Sequence, residues 1–344
     1  MEQIFLNRNG SIRVEVWSVY IVILLLNICA WSGALLLFQQ HPLLLGTALL
    51  SFGLGLRHAV DADHIAAIDN VTRKLIQTNQ RPIGVGFFFA LGHSTIVLLA
   101  CIAIAWTTAQ LSSRFDDFKE IGSLIGTLVS AFFLFVIAAV NALILWSTYK
   151  TWRRYKQTGR YTEESIDLLA PNGGLLGRLI KPVFRLISRS WHMYPMGFLF
   201  GLGFDTATEI ALLGIAATQS TAGLSPWAIM IFPLLFCAGM TLVDTLNGHL
   251  MIGAYGWAQA QPERKILYNL TITAISVLTA LVIGLVEVVS LAGDKLQLQG
   301  FFVDTADSIS EHFSILGYGI VVLCMLAWTI SVFLSRTKRQ SKVL

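Results

Sequence analysis

The sequence predicts an all-α membrane protein of eight transmembrane helices, and three features carry that prediction. The first is composition. Of 344 residues, 55% are apolar types and 13% are charged, with a mean hydropathy of +0.68. Soluble domains carry about 25% charged residues. The second is the set of apolar runs long enough to cross a bilayer, which needs about 20 residues each. The third is the alternation of Lys and Arg between the segments joining those runs. Together these exclude a disordered chain, a nucleic-acid-binding protein and an ordinary soluble enzyme. The net charge of +4 is small, so no acidic partner is needed to explain it.

The predicted spans are 17–38, 43–70, 82–108, 120–148, 194–219, 225–256, 266–292 and 313–335. The first is too long for a signal-peptide core and lacks a small-residue cleavage site, so it reads as retained. Its main polar interruption is Asn27. The second is apolar at first and crowded with polar residues in its later half. The third carries Gly92-His93-Ser94-Thr95, and the fifth carries Asp205-Thr206-Ala207-Thr208-Glu209. The sixth holds Asp244, Asn247 and His249, and the seventh an isolated Glu287, expected to be paired or to reach toward the interface. The whole chain reads as a single transmembrane domain over 1–344. Spans one to four fill 1–148, a basic loop fills 149–193, and spans five to eight fill 194–344. The loop stretch GGLLGRLIKPVFRLISR has the pattern of a basic amphipathic helix on a membrane surface.

Of the 24 Lys and Arg residues, 20 fall on one side of this arrangement and 3 on the other, with Arg57 inside a span. By the positive-inside rule both termini are cytoplasmic. Cys29, Cys101, Cys237 and Cys324 all lie in apolar runs with no neighbouring Cys, so they read as small buried hydrophobes. No organelle-targeting segment is evident, which points to a prokaryotic inner membrane.

An internal repeat is visible. FGLGL at 52–56 returns as FGLGF at 200–204, and Phe89-Ala-Leu-Gly92 returns loosely as Phe236-Cys-Ala-Gly239. The offset of 147 to 148 would also carry span four onto span seven. Spans two to four and five to seven would then be repeats of opposite topology, as in many secondary transporters, with the substrate site near the midplane.

Charged groups at mid-bilayer are costly, about 2.5–3.5 kcal/mol on insertion scales, and mark function by default. Span two carries Arg57, His58, Asp61, Asp63, His64 and Asp69. On an unbroken helix, with His58 at zero, Asp61 lies at about 300° and His64 at about 240°, one face. Asp63 lies away from them. Two imidazoles and a carboxylate suit a borderline divalent metal such as nickel, cobalt or zinc. Arg57 is expected to pair with a carboxylate, Asp63 or one from another span. His93, Asp205, Glu209 and Asp244 are matching groups on other spans. Asn27 and His249 also read as structural hydrogen-bonding groups.

These residues form a signature. RHAVDADHI at 57–65, GHSTIV at 92–97, LGFDTATE at 202–209 and GMTLVDTLNG at 239–248 resemble, in order, the motifs of the NiCoT family of nickel/cobalt permeases. The resemblance implies an eight-span permease that takes up Ni²⁺ and sometimes Co²⁺. It implies that His58, Asp61, Asp63 and His64 are the core of transport, supported by His93, Asp205, Glu209 and Asp244. The family has an acid where this chain has Asn247, which keeps an acceptor oxygen but no charge. The expected partners are the divalent ion and the lipid bilayer, with no nucleic acid. No Walker motif is present, so no ATPase is indicated, and no cofactor is expected. A metal-selective permease for cobalt or another transition metal, a channel or sensor, and a membrane metalloenzyme are the alternatives. The metalloenzyme lacks HExxH and has few histidines to draw on, seven in the chain.

Overall fold

A computed structural model describes residues 11–78, 80–106, 112–158, 187–202, 207–258, 262–313, 315–323 and 326. Among them the regular structure is helical, without a strand. Five helices are long and apolar enough to cross a membrane, or six if one bent pair counts as a span. The chain is a multi-pass membrane protein.

Helix α1 (Ser11–Phe38) covers the first predicted span. It turns Ile21, Leu24, Leu25 and Ile28 outward, as a lipid-facing helix does. The second span is broken. Helix α2 (Pro42–His58) opens on a proline at its first turn, where the missing N–H is harmless. It stops at His58, and α3 (Ala62–Gln77) continues at a bend of 51°. Asp61 is extended at the break, with φ −62° and ψ 146°. Its position suits a helix cap, yet its carboxylate does not cap α3. The one-face arrangement expected of a straight helix therefore does not hold.

Helix α4 (Val85–Trp106) matches the third span. Helix α5 (Ser112–Thr158) is 47 residues long and carries the fourth span ten residues into the predicted loop. There Lys150 and Lys156 lie over Trp146 and Trp152. Most of the loop, including most of the expected amphipathic helix, lies outside the described residues. The fifth predicted span is two short helices, α6 (Met193–Phe200) and α7 (Ala207–Thr221). Helices α8 (Pro226–Ile229) and α9 (Ile231–Ala258) make up the sixth, and α10 (Pro262–Leu296) the seventh. An amphipathic α11 (Phe301–Glu311) follows. Within the eighth predicted span, 315–323 are helical.

Helix α9 lies at the centre, against α1, α2, α3 and α4. Two tight crossings flank the middle of the molecule. At Gly55 a Cβ would collide with the backbone of Phe236, and at Gly197 with the backbone of Phe89. The absent side chains let α2 meet α9, and α6 meet α4, backbone to backbone. One apolar cluster joins α1, α2, α4, α7 and α9, a second α3, α4, α5 and α6, and a third α3, α5, α10 and α11. Cys101 and Cys237 are buried free thiols, as their apolar context predicts, whereas Cys29 is exposed on α1, and Cys324 lies outside the described residues.

Arg73 and Lys74, placed by the sequence in a connecting loop, are instead buried in α3, at 1% and 4% exposure. Arg73 donates to Asp69 Oδ2 at 2.9 Å and to Asn70 Oδ1. Ser276 of α10 donates to Asp69 at 2.6 Å, and Asn141 of α5 donates to Asn70. This polar group ties α3 to both α5 and α10.

Candidate metal centre

The break between α2 and α3 brings His58, the last residue of α2, against His64 in the first turn of α3. Their ring centroids are 4.6 Å apart. His93, midway along α4, lies 4.8 Å from each. One nitrogen from each of the three rings falls within 4.8 Å of the others, and all three residues are buried. Phe89 meets the His64 ring edge-on and Phe236 lies beside His58, so the walls are apolar.

Each imidazole has a carboxylate partner. His58 Nδ1 lies 3.1 Å from Asp61 Oδ2, which explains why Asp61 does not cap α3. Thr208 Oγ1 lies 3.1 Å from the same nitrogen. His64 Nδ1 lies 3.2 Å from Asp244 Oδ2 on α9. An ionised carboxylate only accepts, so each imidazole donates through Nδ1, and a neutral ring then carries its lone pair on Nε2. His64 Nε2 has no hydrogen-bond partner among the described residues. His58 Nε2 faces His93 Nε2 at 3.0 Å. Glu209 Oε1, in the first turn of α7, lies 2.8 Å from His93 Nε2 and 3.9 Å from His58 Nε2.

Three imidazole nitrogens and a carboxylate oxygen thus converge from α2, α3, α4 and α7. Bonds of about 2.1 Å at a right angle put two ligand nitrogens about 3.0 Å apart. The His58–His93 separation already fits. A carboxylate behind a ligating histidine fixes its tautomer and raises its basicity. Asp61 and Asp244 occupy those positions.

The other sequence-expected residues lie as follows. Asp63 is half-buried in the first turn of α3. Arg57 is exposed on the last turn of α2, not buried in the cluster. Asp205 lies outside the described residues. Asn247 is buried, and neither amide atom finds a hydrogen-bond partner among the described residues. Asn27 donates to Ile23 O of its own helix and, at 3.5 Å, to Ala238 O of α9, a packing role. His249 bonds Tyr20 at 2.8 Å. Asn141 and Ser276 were not singled out by the sequence. Their mid-span polarity was the available signal, but neither is charged.

Comparisons with known proteins place the chain in a family. The family described as high-affinity nickel-transport protein matches residues 44–334. A high-affinity nickel transport protein of Cupriavidus necator is 51% identical over 334 residues, covering 97% of this chain and 95% of that one. A high-affinity nickel-transport protein NixA of Helicobacter pylori (strain 26695) is 42% identical, covering 94% and 98%. A cobalt transport protein NhlF of Rhodococcus rhodochrous is 37% identical, covering 86% and 84%. No solved structure matches the chain. With its buried histidine cluster inside a bundle of membrane helices, this chain belongs to the high-affinity nickel-transport protein family and is a transporter, not an enzyme.

Proposed function

We propose that the chain is a permease that imports Ni²⁺, with Co²⁺ as a second cargo, across the cytoplasmic membrane of a prokaryote. The observation that carries this reading is the convergence of His58, His64 and His93 within 4.8 Å, all three buried among the helices. The ion is held by the three Nε2 atoms and Glu209. Asp61 and Asp244 orient His58 and His64, and Asp63 and Asp205 serve the approach or release of the ion. Nitrogen-rich ligation favours nickel and cobalt over magnesium or calcium, which take oxygen.

In this reading the chain has eight spans, both termini cytoplasmic, and an inverted repeat of spans two to four with five to seven. Three features support it. Lys and Arg alternate from side to side. Span two and span five are both broken, at 59–61 and after Phe200. The offset of 147 to 148 carries α2 onto α6 and α4 onto α9, and the α2–α9 contact has its counterpart in the α4–α6 contact. Broken helices at matching places in two halves point to the substrate site. Rocking of the halves would expose it to either side. Moving two charges inward through 100 mV gains about 4.6 kcal/mol from the potential, at about 2.3 per charge. The ion and the bilayer are then the only partners the mechanism requires.

The test is saturable uptake of ⁶³Ni²⁺ into cells expressing the chain, with excess Co²⁺, Zn²⁺, Mn²⁺ or Mg²⁺ as competitors and His64→Ala alongside. Saturable uptake that the mutant loses is expected. Uptake no greater than in empty cells, with the protein present in the membrane, rejects nickel as cargo. The cobalt-named relative gives a second reading, a cobalt-selective permease, which stronger competition and uptake by Co²⁺ would favour.

A further inference from the structure

Glu287 is a buried carboxyl group that the metal centre does not use. It lies on α10, and Ser130 Oγ of α5 donates to its Oε1 at 2.9 Å. One turn along α10, Ser290 Oγ donates to Asp307 Oδ1 of α11 at 2.6 Å. The Asp307–Ser290 pair and the Glu287–Ser130 pair thus follow one another along α10 as a polar file, the first against α11 and the second in the interface with α5. Beyond Glu287 the interface turns apolar, with Leu134, Ala138, Ala280 and Ile283 in one cluster. Ser276, bonded to Asp69, lies about 16 Å further along α10 at 1.5 Å per residue. The interface is thus polar, apolar, then polar again.

A carboxyl group inside a membrane is functional by default. A serine hydroxyl can donate to a carboxylate and accept from a carboxylic acid. Ser130 can therefore keep a hydrogen bond to Glu287 in both protonation states. In the orientation proposed above the file opens toward the outside. Other titratable groups lie on α11, α10 and α3. Helix α11 offers Asp307 through Ser290, and α10 carries Asp294 and Lys295 two turns on. Helix α3 begins with Asp63 and His64, beside Asp61. At this level α5 offers the uncharged Thr127 and Ser130.

We propose that Glu287 is a proton-binding site that links metal import to the proton gradient, an inference that rests on the import reading. A proton from outside passes the Asp307–Ser290 pair and adds to a lone pair of the Glu287 carboxylate. An O–H bond forms and the group goes from one negative charge to none. The neutral acid lets the apolar layer of the α5–α10 interface close over it as the halves rock. In the inward-open state the O–H bond breaks, the electron pair stays on the oxygen, and the proton leaves to the cytoplasmic side. One proton enters per cycle.

The test uses the full chain in proteoliposomes held at fixed membrane potential, with a pH-sensitive dye inside and ⁶³Ni²⁺ outside. The unmodified chain should acidify the interior as nickel enters, and an outside-acid gradient should raise uptake several-fold. Glu287→Gln keeps the size of the side chain and an oxygen for Ser130. It should bind Ni²⁺ in detergent as the parent does, yet lose both acidification and the several-fold stimulation. Glu287→Asp should recover part of each. Parent-like acidification by Glu287→Gln overturns the proposal, and so does failure of Glu287→Gln to bind nickel, which marks a structural role. Nickel entry without acidification in the unmodified chain overturns coupling and leaves import intact. No nickel entry at all overturns import and coupling together.

Discussion

His58 and His93 meet nitrogen to nitrogen, Nε2 to Nε2, at 3.0 Å, both fully enclosed by protein. At most one proton fits between two such nitrogens. A divalent ion between them and Glu209 would satisfy both lone pairs and the carboxylate at once. The pair sits where α2 ends and α4 passes, so a break in one span and an unbroken neighbour together make the site.

Removing a ring should abolish the site, not merely weaken it. His58→Ala, His64→Ala and His93→Ala should each lower nickel affinity on the order of 100-fold or more, beyond the usual effect of supporting groups. Isothermal titration of the purified protein checks this. Binding near the parent affinity in His93→Ala would remove α4 from the ligand set.

The carboxylates behind the rings should matter less. Asp61→Asn and Asp244→Asn keep the size of the side chain but weaken control of the tautomer. Affinity should fall roughly 10–100-fold while uptake stays saturable. Complete loss of binding in either variant would mean the carboxylate ligates directly.

Ligation takes neutral imidazoles, so binding displaces protons and weakens as the medium becomes acid. Titrating Ni²⁺ into lightly buffered protein should release protons, and apparent affinity should fall steadily as the pH is lowered from 8 to 5. An affinity independent of pH from 5 to 8 would argue for ligation by carboxylates alone.

The Asp69–Arg73 pair is buried at the α3–α5–α10 junction. Leaving one buried charge without its partner costs about 3–5 kcal/mol. Asp69→Ala should lower the unfolding temperature in detergent sharply, and Asp69→Leu with Arg73→Met should recover much of the loss. A double variant as unstable as the single would show that the tie to Ser276 matters more than the ion pair.

Gly55 admits no side chain against the Phe236 backbone. Gly55→Leu should separate α2 from α9, displace His58 and eliminate uptake, whereas Gly46→Leu, with open space around it, should be tolerated. Ordinary uptake by Gly55→Leu would show that the crossing is not needed for transport.

Much was legible in the sequence because its signals are local. Apolar runs report helices that face lipid, and charges inside them report function, since the bilayer penalises each charge wherever the rest of the chain lies. His58, Asp61, His64, His93, Glu209 and Asp244 were all singled out on that ground. The roles within the set were not legible. Angular spacing placed Asp61 with the histidines as a ligand candidate, but the break at 59–61 cancels a helical count, and the structure turns Asp61 onto His58 Nδ1. Arg73 and Lys74 looked like loop cations, because the packing of α3 among neighbouring helices is not written in α3 itself. Asn141 and Ser276 carry no charge, so their tie to Asp69 and Asn70 emerges only once three helices meet. The sequence by itself determined which residues cannot be bland in a membrane. Only the tertiary structure decided which of their atoms face one another, because those contacts join segments up to 229 residues apart.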